Sequence, residues 1–368
     1  MTPRVLVLTP DFPPERGGVQ TLVHRVAAGW SRLEPIVVAP AAPGATRFDA
    51  GQPFDVHRVR LPRFLPRAGQ VAVFDASAFA YGLALRPSSI LSAHVVTSPA
   101  AVSAARVVGA TWVQYLHGKE IVRRPRLTRF AMAHADAVVA VSRYTERMAA
   151  AAGADARRLH RIPPGVDLPT GVPAHRNGGP PTIAVVARLA DEYKGHDVLL
   201  GALGRLRHSL PAVKLIVIGD GPLLSRYEAL AAELGIAAAV DFVGAVDDDE
   251  RDRLLDRATV FAMPSRLAAD GSGEGFGIVY LEAASRGLPI VAGNVAGARD
   301  AVIHGTTGLL VDPTDEVAVA AALEQLLTDR DRASALGAAG AARAKRSAWT
   351  EISRRVEDVV LGTLEAGR

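Results

Sequence analysis

The chain has 368 residues, enough for two domains of ordinary size, and its 49% hydrophobic and 22% charged residues are typical of a globular protein. It contains no cysteine, which excludes disulfides, cysteine-bound zinc and thiol nucleophiles. The formal net charge is +4, and arginine supplies most of the positive charge because lysine occurs only at positions 119, 194, 214 and 345. A GC-rich genome explains this bias, and so does attraction to phosphate in a nucleotide, an anionic lipid or a nucleic acid.

The apolar runs are too short to suggest a membrane span. Examples such as residues 137–141 and 213–218 fall far below the ~20 residues that cross a bilayer. The first apolar run, residues 4–9, is followed at once by Asp11 and two prolines, so it does not have the form of a signal peptide. We therefore expect a cytoplasmic protein.

The first half of the chain alternates between strand-like and helix-like segments. Residues 5–9 have the composition of a strand, the turn-prone stretch D-F-P-P-E-R-G-G follows, and the next twelve residues have helical spacing. Further strands are predicted at residues 36–38, 56–59, 90–96, 111–116 and 137–141, with helical segments between several of them. This alternation predicts an α/β fold with a parallel sheet.

The alternation stops at residues 166–181, which are rich in proline and glycine and are interpreted as a linker. It then restarts with strands predicted at residues 183–187, 214–218, 240–243, 259–263 and 289–292, and with helices from about His196 and after Pro222. The pattern predicts two Rossmann-like domains, residues 1–167 and 168–348. A last amphipathic segment begins at Trp349.

Two glycine-rich loops suit the binding of a phosphate. Gly17 and Gly18 lie between the first strand and its helix, where the backbone is open to an anion, although the same pair also fits a plain turn. The loop does not match G-x-G-x-x-G, and G-x-x-x-x-G-K-[ST] is absent from the chain, which weakens the case for nicotinamide binding and for P-loop chemistry.

The second loop is G-E-G-F-G, residues 273–277, and a helix is predicted to begin near Gly277. Glu274 precedes that helix and Glu282 falls in its second turn. If both lay on one helix, their backbones would be ~12 Å apart, wider than the ~5–9.5 Å between the carboxyl groups of a glycosidase pair. Binding of two ends of one elongated ligand therefore explains the spacing better than a hydrolytic pair does.

Three further side chains follow predicted strands. Arg188 and Lys194 flank the loop after residue 187, where they would neutralise a diphosphate, or where they are ordinary surface charges. His117 ends the strand at 111–116 and is either a ligand contact or a structural histidine. The run V-D-D-D-E at residues 246–250 resembles a metal-binding D-x-D motif, but its place before a helical segment favours an N-cap.

These motifs together resemble the retaining, nucleotide-sugar-dependent group 1 glycosyltransferases, which have the GT-B fold. The family signature is two glutamates in E-G-F-G-x-x-x-x-E, and residues 274–282 match it in full. The resemblance covers nearly the whole chain and includes the motifs D-F-P-P-E-R-G-G-V-Q, H-G-K-E, I-P-P-G-V-D, R-L-A-D-E-Y-K-G-H-D, F-A-M-P-S-R and T-G-L-L-V-D-P.

The resemblance implies two Rossmann-like domains facing a cleft, the first binding the acceptor and the second binding the nucleotide sugar. The last helix, residues 349–368, would join the first domain. The implied reaction keeps the anomeric configuration, most simply by front-side attack of the acceptor hydroxyl, and needs neither a metal nor another cofactor.

The resemblance also implies a role for each candidate residue. Glu274 would hold the hydroxyls of the donor sugar, and Glu282 those of the ribose. The departing diphosphate would be stabilised by Arg188 and Lys194 and by the backbone at Gly17, Gly18, Gly277, Ile278 and Val279. His117 would face the sugar near its anomeric carbon. Family members commonly have four residues between the arginine and the lysine, whereas this chain has five.

The opening motif and F-G-I-V-Y-L-E-A look most like those of actinobacterial mannosyltransferases that act on phosphatidylinositol mannosides. GDP-mannose is therefore the expected donor and a glycolipid the expected acceptor, with UDP-glucose or UDP-N-acetylglucosamine and a soluble acceptor as the alternative. The segments R-V-R-L-P-R-F-L-P-R, residues 58–67, and R-R-P-R-L-T-R-F, residues 123–130, suit peripheral contact with an anionic membrane, at the inner face of the plasma membrane, or plain solvated surface.

Other classes of protein fit the sequence less well. A sugar-nucleotide epimerase on the same fold stays open, while a phosphorylase would need a lysine for pyridoxal phosphate, and Lys194 is already assigned to phosphate. A nucleic-acid-binding protein is disfavoured because the basic runs lack aromatic stacking positions and match no known module.

Overall fold

The computed structural model describes residues 2–169, 171 and 179–367, and it divides into two compact units. The first unit contains the chain up to Gly165 together with the segment from Trp349, and the second contains Val166–Ala348. The division thus falls two residues before the predicted boundary at 167/168. Val166 is buried and pairs with Ala348 in the second unit, so the predicted linker begins after it, and residues 170 and 172–178 of that linker lie outside the described residues.

The first unit is a parallel sheet with helices. Its strands are β1 Arg4–Leu8, β2 Glu34–Pro40, β3 Asp55–Val59, β4 Ser89–Ser92, β5 Thr111–Leu116, β6 Ala137–Ala140 and β7 Leu159–Arg161. Its helices are α1 Gly18–Ala28, α2 Ala45–Asp49, α3 Arg67–Leu85, α4 Ser98–Val108, α5 Lys119–Arg123, α6 Pro125–His134, α7 Arg143–Ala151 and, at the end of the chain, α15 Trp349–Ala366.

The strand order is β3-β2-β1-β4-β5-β6-β7, and every pairing is parallel. The central strands are runs of Val, Leu and Ile because helices cover both faces of such a sheet, and residues 5–8 of β1 have no exposed surface. The strand predicted at residues 90–96 is wrong beyond Ser92, where the chain turns and forms a 3₁₀ turn at Val95–Thr97.

Helix α3 is long, and Gln70, Asp75 and Ser77 interrupt its apolar residues. Among the described residues it is the one helix whose length and composition would allow it to cross a membrane, with a mean hydropathy of 1.2. It packs through Phe74, Ala78 and Gly82, which are buried, and a Cβ added at Gly82 would lie 2.6 Å from the Ala104 Cβ of α4. Only 17% of its apolar stretch is buried, and most of its other residues are half-buried.

The second unit repeats the same architecture. Its strands are β8 Thr182–Val186, β9 Lys214–Ile218, β10 Val240–Gly244, β11 Val260–Met263, β12 Ile290–Gly293 and β13 Leu309–Val311. Its helices are α8 His196–Ser209, α9 Leu224–Glu233, α10 Asp248–Asp256, α11 Ile278–Ser285, α12 Ala298–Ala301, α13 Glu316–Thr328 and α14 Arg330–Lys345. The parallel order is β10-β9-β8-β11-β12-β13.

Each sheet has a switch point where the strand order reverses, between β1 and β4 in the first unit and between β8 and β11 in the second. Ligands of doubly wound sheets bind at the carboxyl ends of the strands at such points. The loops that follow β8 and β11 carry Lys194 and Glu274, and the loop that follows β1 carries Gly17. The topology therefore places most of the predicted site residues where the fold favours binding.

Candidate active site

The loop after β8 carries both predicted cations. Arg188 is exposed, two residues beyond the strand. The chain then forms a 3₁₀ turn at Glu192–Lys194, and α8 begins after Gly195. The five intervening residues are thus accommodated by a short helical turn that brings Lys194 close to the start of α8.

Lys194 and Glu274 are in direct contact: the Lys194 Nζ donates a hydrogen bond to Glu274 Oε2. Their side chains are only 16% and 14% exposed. Burial lowers the pKa of Lys194, but the Glu274 carboxylate and Tyr193 outweigh it, so the net pKa of this lysine lies above its usual range. Lys194 therefore stays cationic, and Nζ lies 5.1 Å from the centre of the Tyr193 ring.

The glycine loop leads into α11 as predicted, since the helix begins at Ile278 and Glu274 precedes it. Gly277 is the N-cap residue with φ of +90°, and a Cβ there would lie 2.5 Å from the Tyr280 ring, so this position requires glycine. Tyr280 Oη donates a 2.7 Å hydrogen bond to the Met263 carbonyl at the end of β11. Ile278 and Val279 then present the first backbone N–H groups of the helix, which suit an anion.

Glu282 lies in the second turn of α11, and its side chain is 18% exposed. Burial raises the pKa of its carboxyl, and Arg251 of α10, 3.4 Å from Oε1, opposes that rise. Arg251 also pairs with Asp248 and Asp252. Sequence analysis missed Arg251, and its only signal was its place one residue after the acidic run.

The acidic run itself is a helix start. Asp247 caps α10, because its side chain accepts a 2.8 Å hydrogen bond from the Glu250 N–H. This confirms the N-cap interpretation. Among residues 2–169, 171 and 179–367, no three His, Asp or Glu side chains gather as metal ligands do, and the metal independence of the reaction stays a prediction.

In the first unit, His117 follows β5 and lies parallel to the Tyr115 ring at 5.3 Å. Its Nε2 lies 2.7 Å from the Ala93 carbonyl, just after β4. A carbonyl only accepts, so Nε2 carries the proton and a neutral ring leaves Nδ1 as an acceptor. The buried Glu120 accepts hydrogen bonds from the backbone N–H groups of His117 and Gly118. Sequence analysis quoted Glu120 as the last residue of H-G-K-E but gave it no role.

Gly17 and Gly18 lie at the start of α1. Gly17 is the N-cap residue, Gly18 is the first helical residue, and Gly17 has no side chain with which to cap this end. A Cβ added at Gly17 would lie 2.3 Å from Gln20 Oε1, so the side chain of Gln20 lies close to this helix start.

The structure thus brings together Lys194 and Glu274, and it places Gly277, Ile278 and Val279 at the helix start that Glu274 precedes. Glu282 lies on that helix beside Arg251. His117, Gly17 and Gly18 belong to the first unit. The roles assigned to all of these residues stay predictions.

The fold matches solved structures along its whole length. A sucrose-phosphate synthase from Thermosynechococcus elongatus superposes with a TM-score of 0.85 at 20% identity, covering 99% of this chain and 100% of that one. Anabaena HepE in complex with UDP and glucose superposes with a TM-score of 0.79, covering 97% of this chain and 98% of that one, again at 20% identity. Two Rossmann-like units of this kind define the GT-B class of fold.

Sequence relatives narrow the class further. Residues 173–343 match the family described as Glycosyl transferases group 1, and residues 16–169 match Glycosyltransferase Family 4. A GDP-mannose-dependent alpha-(1-6)-phosphatidylinositol monomannoside mannosyltransferase from Mycobacterium tuberculosis is 36% identical, with 92% of each chain covered. The enzyme of the same name from Mycolicibacterium smegmatis is 34% identical, with 98% of this chain and 99% of that one covered. The chain belongs to the group 1 glycosyltransferases, which confirms the resemblance seen in the sequence, and it is a nucleotide-sugar-dependent enzyme.

His196, the first residue of α8, gives a prediction about pH. It is 3% exposed, stacks on Tyr227 at 5.1 Å, and has a pKa lowered to about 4 by burial and by Lys194, with Asp197 opposing. Because the unfolded histidine binds a proton near pH 6.5 and the folded one does not, the free energy of unfolding falls as the pH drops from about 6.5 to 4, by on the order of 3 kcal/mol.

Denaturant unfolding at pH 7 and pH 4.5 tests this. We expect His196→Phe to reduce the loss of stability between the two pH values, whatever its effect at pH 7. His208→Phe, at an exposed position near the end of the same helix, is the control and should leave that loss unchanged. An undiminished loss in His196→Phe would show that this histidine is not held neutral.

Proposed function

We propose that the protein transfers a mannosyl unit from GDP-mannose to a hydroxyl of a phosphatidylinositol-type glycolipid, with retention of configuration. The observation that carries the proposal is the contact between Lys194 and Glu274 at the carboxyl ends of β8 and β11, beside the open start of α11. A cation, a carboxylate and free backbone N–H groups are the partners that a sugar diphosphate needs. The names of the relatives supply the base, the sugar and the acceptor class.

In this proposal the second unit stabilises the leaving group. The bond between the anomeric carbon and the β-phosphate oxygen breaks, and its electron pair goes to the phosphate. Lys194, Arg188 and the N–H groups of Ile278 and Val279 face the charge that develops there, and such fixed electrostatic partners are usually the largest catalytic contribution. The acceptor oxygen bonds to the anomeric carbon from the same face, and its proton passes to the departing phosphate.

The two glutamates have different tasks. Glu274 would accept hydrogen bonds from the hydroxyls of the sugar, and Glu282 from those of the ribose. Arg251 beside Glu282 favours the ionised carboxylate that such bonds require, against the burial that disfavours it.

A donor panel tests the proposed function. The protein is incubated with GDP-mannose, UDP-glucose and UDP-N-acetylglucosamine, each with and without phosphatidylinositol and its mannosides, and release of nucleoside diphosphate is measured. The proposal expects acceptor-dependent release of GDP. If the protein prefers a UDP sugar, the donor is that sugar nucleotide and not GDP-mannose. Release of a free sugar epimer would indicate an epimerase. If no nucleoside diphosphate is released with any donor, the protein is not the proposed transferase.

We further propose that the first unit contacts anionic membrane through the arginine loop, residues 60–67. Phe64 at its tip is 86% exposed, and Arg60, Arg63 and Arg67 around it are exposed as well. Helix α3 follows directly, and its exposed stripe consists of alanines at positions 68, 72, 76, 80 and 84. An exposed aromatic ring among cations, beside a helix with an exposed stripe of alanines, suits the surface of an anionic bilayer.

Vesicle sedimentation tests this contact. We expect binding to anionic vesicles in preference to neutral ones, and a reduction of about 10-fold in Phe64→Ser, because burying a phenylalanine contributes ~1.5–3 kcal/mol. Val107→Ser, at a position 66% exposed in the same unit, is the matched control and should bind as the unaltered protein does. Equal binding to neutral vesicles would count against the proposal.

A further inference from the structure

The loops that carry Lys194 and Glu274 are tied together at their bases by three contacts. Arg266 Nη1 and Nη2 donate hydrogen bonds of 2.9 and 2.8 Å to the two carboxylate oxygens of Asp197. The backbone N–H of Arg266 donates a 2.7 Å hydrogen bond to the Tyr193 carbonyl. Gly195 adopts φ of +79°, and a Cβ there would lie 2.2 Å from the Pro264 carbonyl oxygen. We call the Asp197–Arg266 pair the loop clamp.

The loop clamp lies between the two polar groups of the site along the chain. Asp197 is the second residue of α8, three positions after Lys194. Arg266 stands three residues beyond β11, at the start of the loop that runs to Glu274. A lysine side chain is a flexible stem, so the position of its ammonium group depends on a fixed backbone. The clamp fixes that backbone relative to the loop that carries Glu274.

The geometry indicates why both partners are charged and why one is arginine. A planar guanidinium matches a carboxylate through two parallel hydrogen bonds, which fixes orientation as well as distance, and a lysine at 266 would offer only a point charge. Arg266 and Asp197 are 20% and 34% exposed, so solvent screens the pair only in part. An acidic residue in the first turn of α8 also interacts favourably with the helix dipole, but that interaction needs no arginine partner.

We propose that Asp197 and Arg266 are positioning residues for the donor diphosphate: they act through Lys194, whose position they fix relative to the loop of Glu274, and do not contact the donor. This inference rests on the proposed function of the site. Loss of the clamp leaves Lys194 charged but displaced, and misplacement by about 1 Å costs up to about 100-fold in rate.

A double-mutant cycle with Lys194 tests the positioning role. Arg266→Gln and Asp197→Asn should each lower kcat by about 10–100-fold in the unaltered background. In the Lys194→Ala background, Arg266→Gln should change kcat by less than about 3-fold, because the group that it positions is gone. If Arg266 had a purely structural role, Arg266→Gln would lower the thermal midpoint, and it would lower kcat by the same factor in both backgrounds. Arg266→Lys should fall between the unaltered protein and Arg266→Gln.

The control is Arg205→Gln, which removes another exposed ion pair of α8, that with Glu316 of α13, and should change nothing. The GDP affinity of the same set of variants is measured by calorimetry, which does not depend on turnover.

If the unaltered protein turns over and the effects of Arg266→Gln and Lys194→Ala are additive, the positioning role is wrong. The proposed function is then still supported. GDP binding with non-additive effects but no turnover supports the positioning role and rejects the proposed function. Absence of both turnover and GDP binding overturns both.

Discussion

The Lys194→Ala variant is expected to lose about 10²- to 10³-fold in kcat, the effect of removing one electrostatic partner from a developing anion. Lys194 stands at the carboxyl end of β8, and its ammonium is kept charged by Glu274 against the cost of burial. Lys214→Ala, at an exposed position at the start of β9, is the control and should retain full activity. Steady-state kinetics on both variants provides the measurement.

The same substitution also leaves Glu274 largely buried without its cation, so the free energy of unfolding should fall by about 3 kcal/mol. The double variant Lys194→Ala with Glu274→Ala should regain part of that stability and none of the activity. If Lys194→Ala keeps more than a tenth of the kcat of the unaltered protein, Lys194 is not the group that faces the leaving phosphate.

The Glu274→Gln variant should bind GDP more tightly than the unaltered protein and still fail to turn over. Lys194 is paired with Glu274 in the structure, so a diphosphate that binds Lys194 has to compete with that carboxylate. Glutamine removes the competitor, and we expect the Kd for GDP to fall by about 3- to 10-fold, which corresponds to ~0.7–1.4 kcal/mol. The kcat should fall by about 10²-fold or more, because the sugar loses its charged acceptor.

Glu282→Gln is the matched control for this experiment, since it alters a glutamate of the same loop and helix that pairs with Arg251. It should weaken GDP binding, because the ribose loses a charged hydrogen-bond partner. Calorimetry should therefore show that the Kd for GDP falls in Glu274→Gln and rises in Glu282→Gln. Weaker binding in Glu274→Gln would show that the ion pair with Lys194 does not compete with the diphosphate.

Sequence periodicity was sufficient to predict the long buried strands and helices, and insufficient to predict the short strands. The predicted strand at 111–116 coincides with β5, and the predicted helix starts at His196 and near Gly277 agree with α8 and α11. Strands β7 and β13 were missed because each has only three residues, too few for an alternating pattern. The end of β4 was misplaced because Val95 and Val96 are strand-like residues that the structure uses in a buried turn.

The site was predicted as a set of residues and not as a set of contacts. Motifs named Lys194 and Glu274, but they are 80 positions apart, and only the parallel sheet, by setting β8 beside β11, brings them together. Arg251 was missed, and Arg266 was quoted in F-A-M-P-S-R without a role, for the same reason: the role of an arginine in a chain rich in arginine is not apparent until its carboxylate partner is known. The pairings with Glu282 and Asp197 come from the fold alone.

Transfer of labelled mannose from GDP-mannose into lipid would show the proposed reaction itself. The protein is incubated with the labelled donor and vesicles that contain phosphatidylinositol or its monomannoside, and the lipid is extracted and the new linkage determined. We expect label in the lipid fraction, in the α configuration of the donor, and loss of that label in Lys194→Ala. Label that stays in the aqueous phase with every acceptor, or a β linkage in the product, would contradict the proposed function.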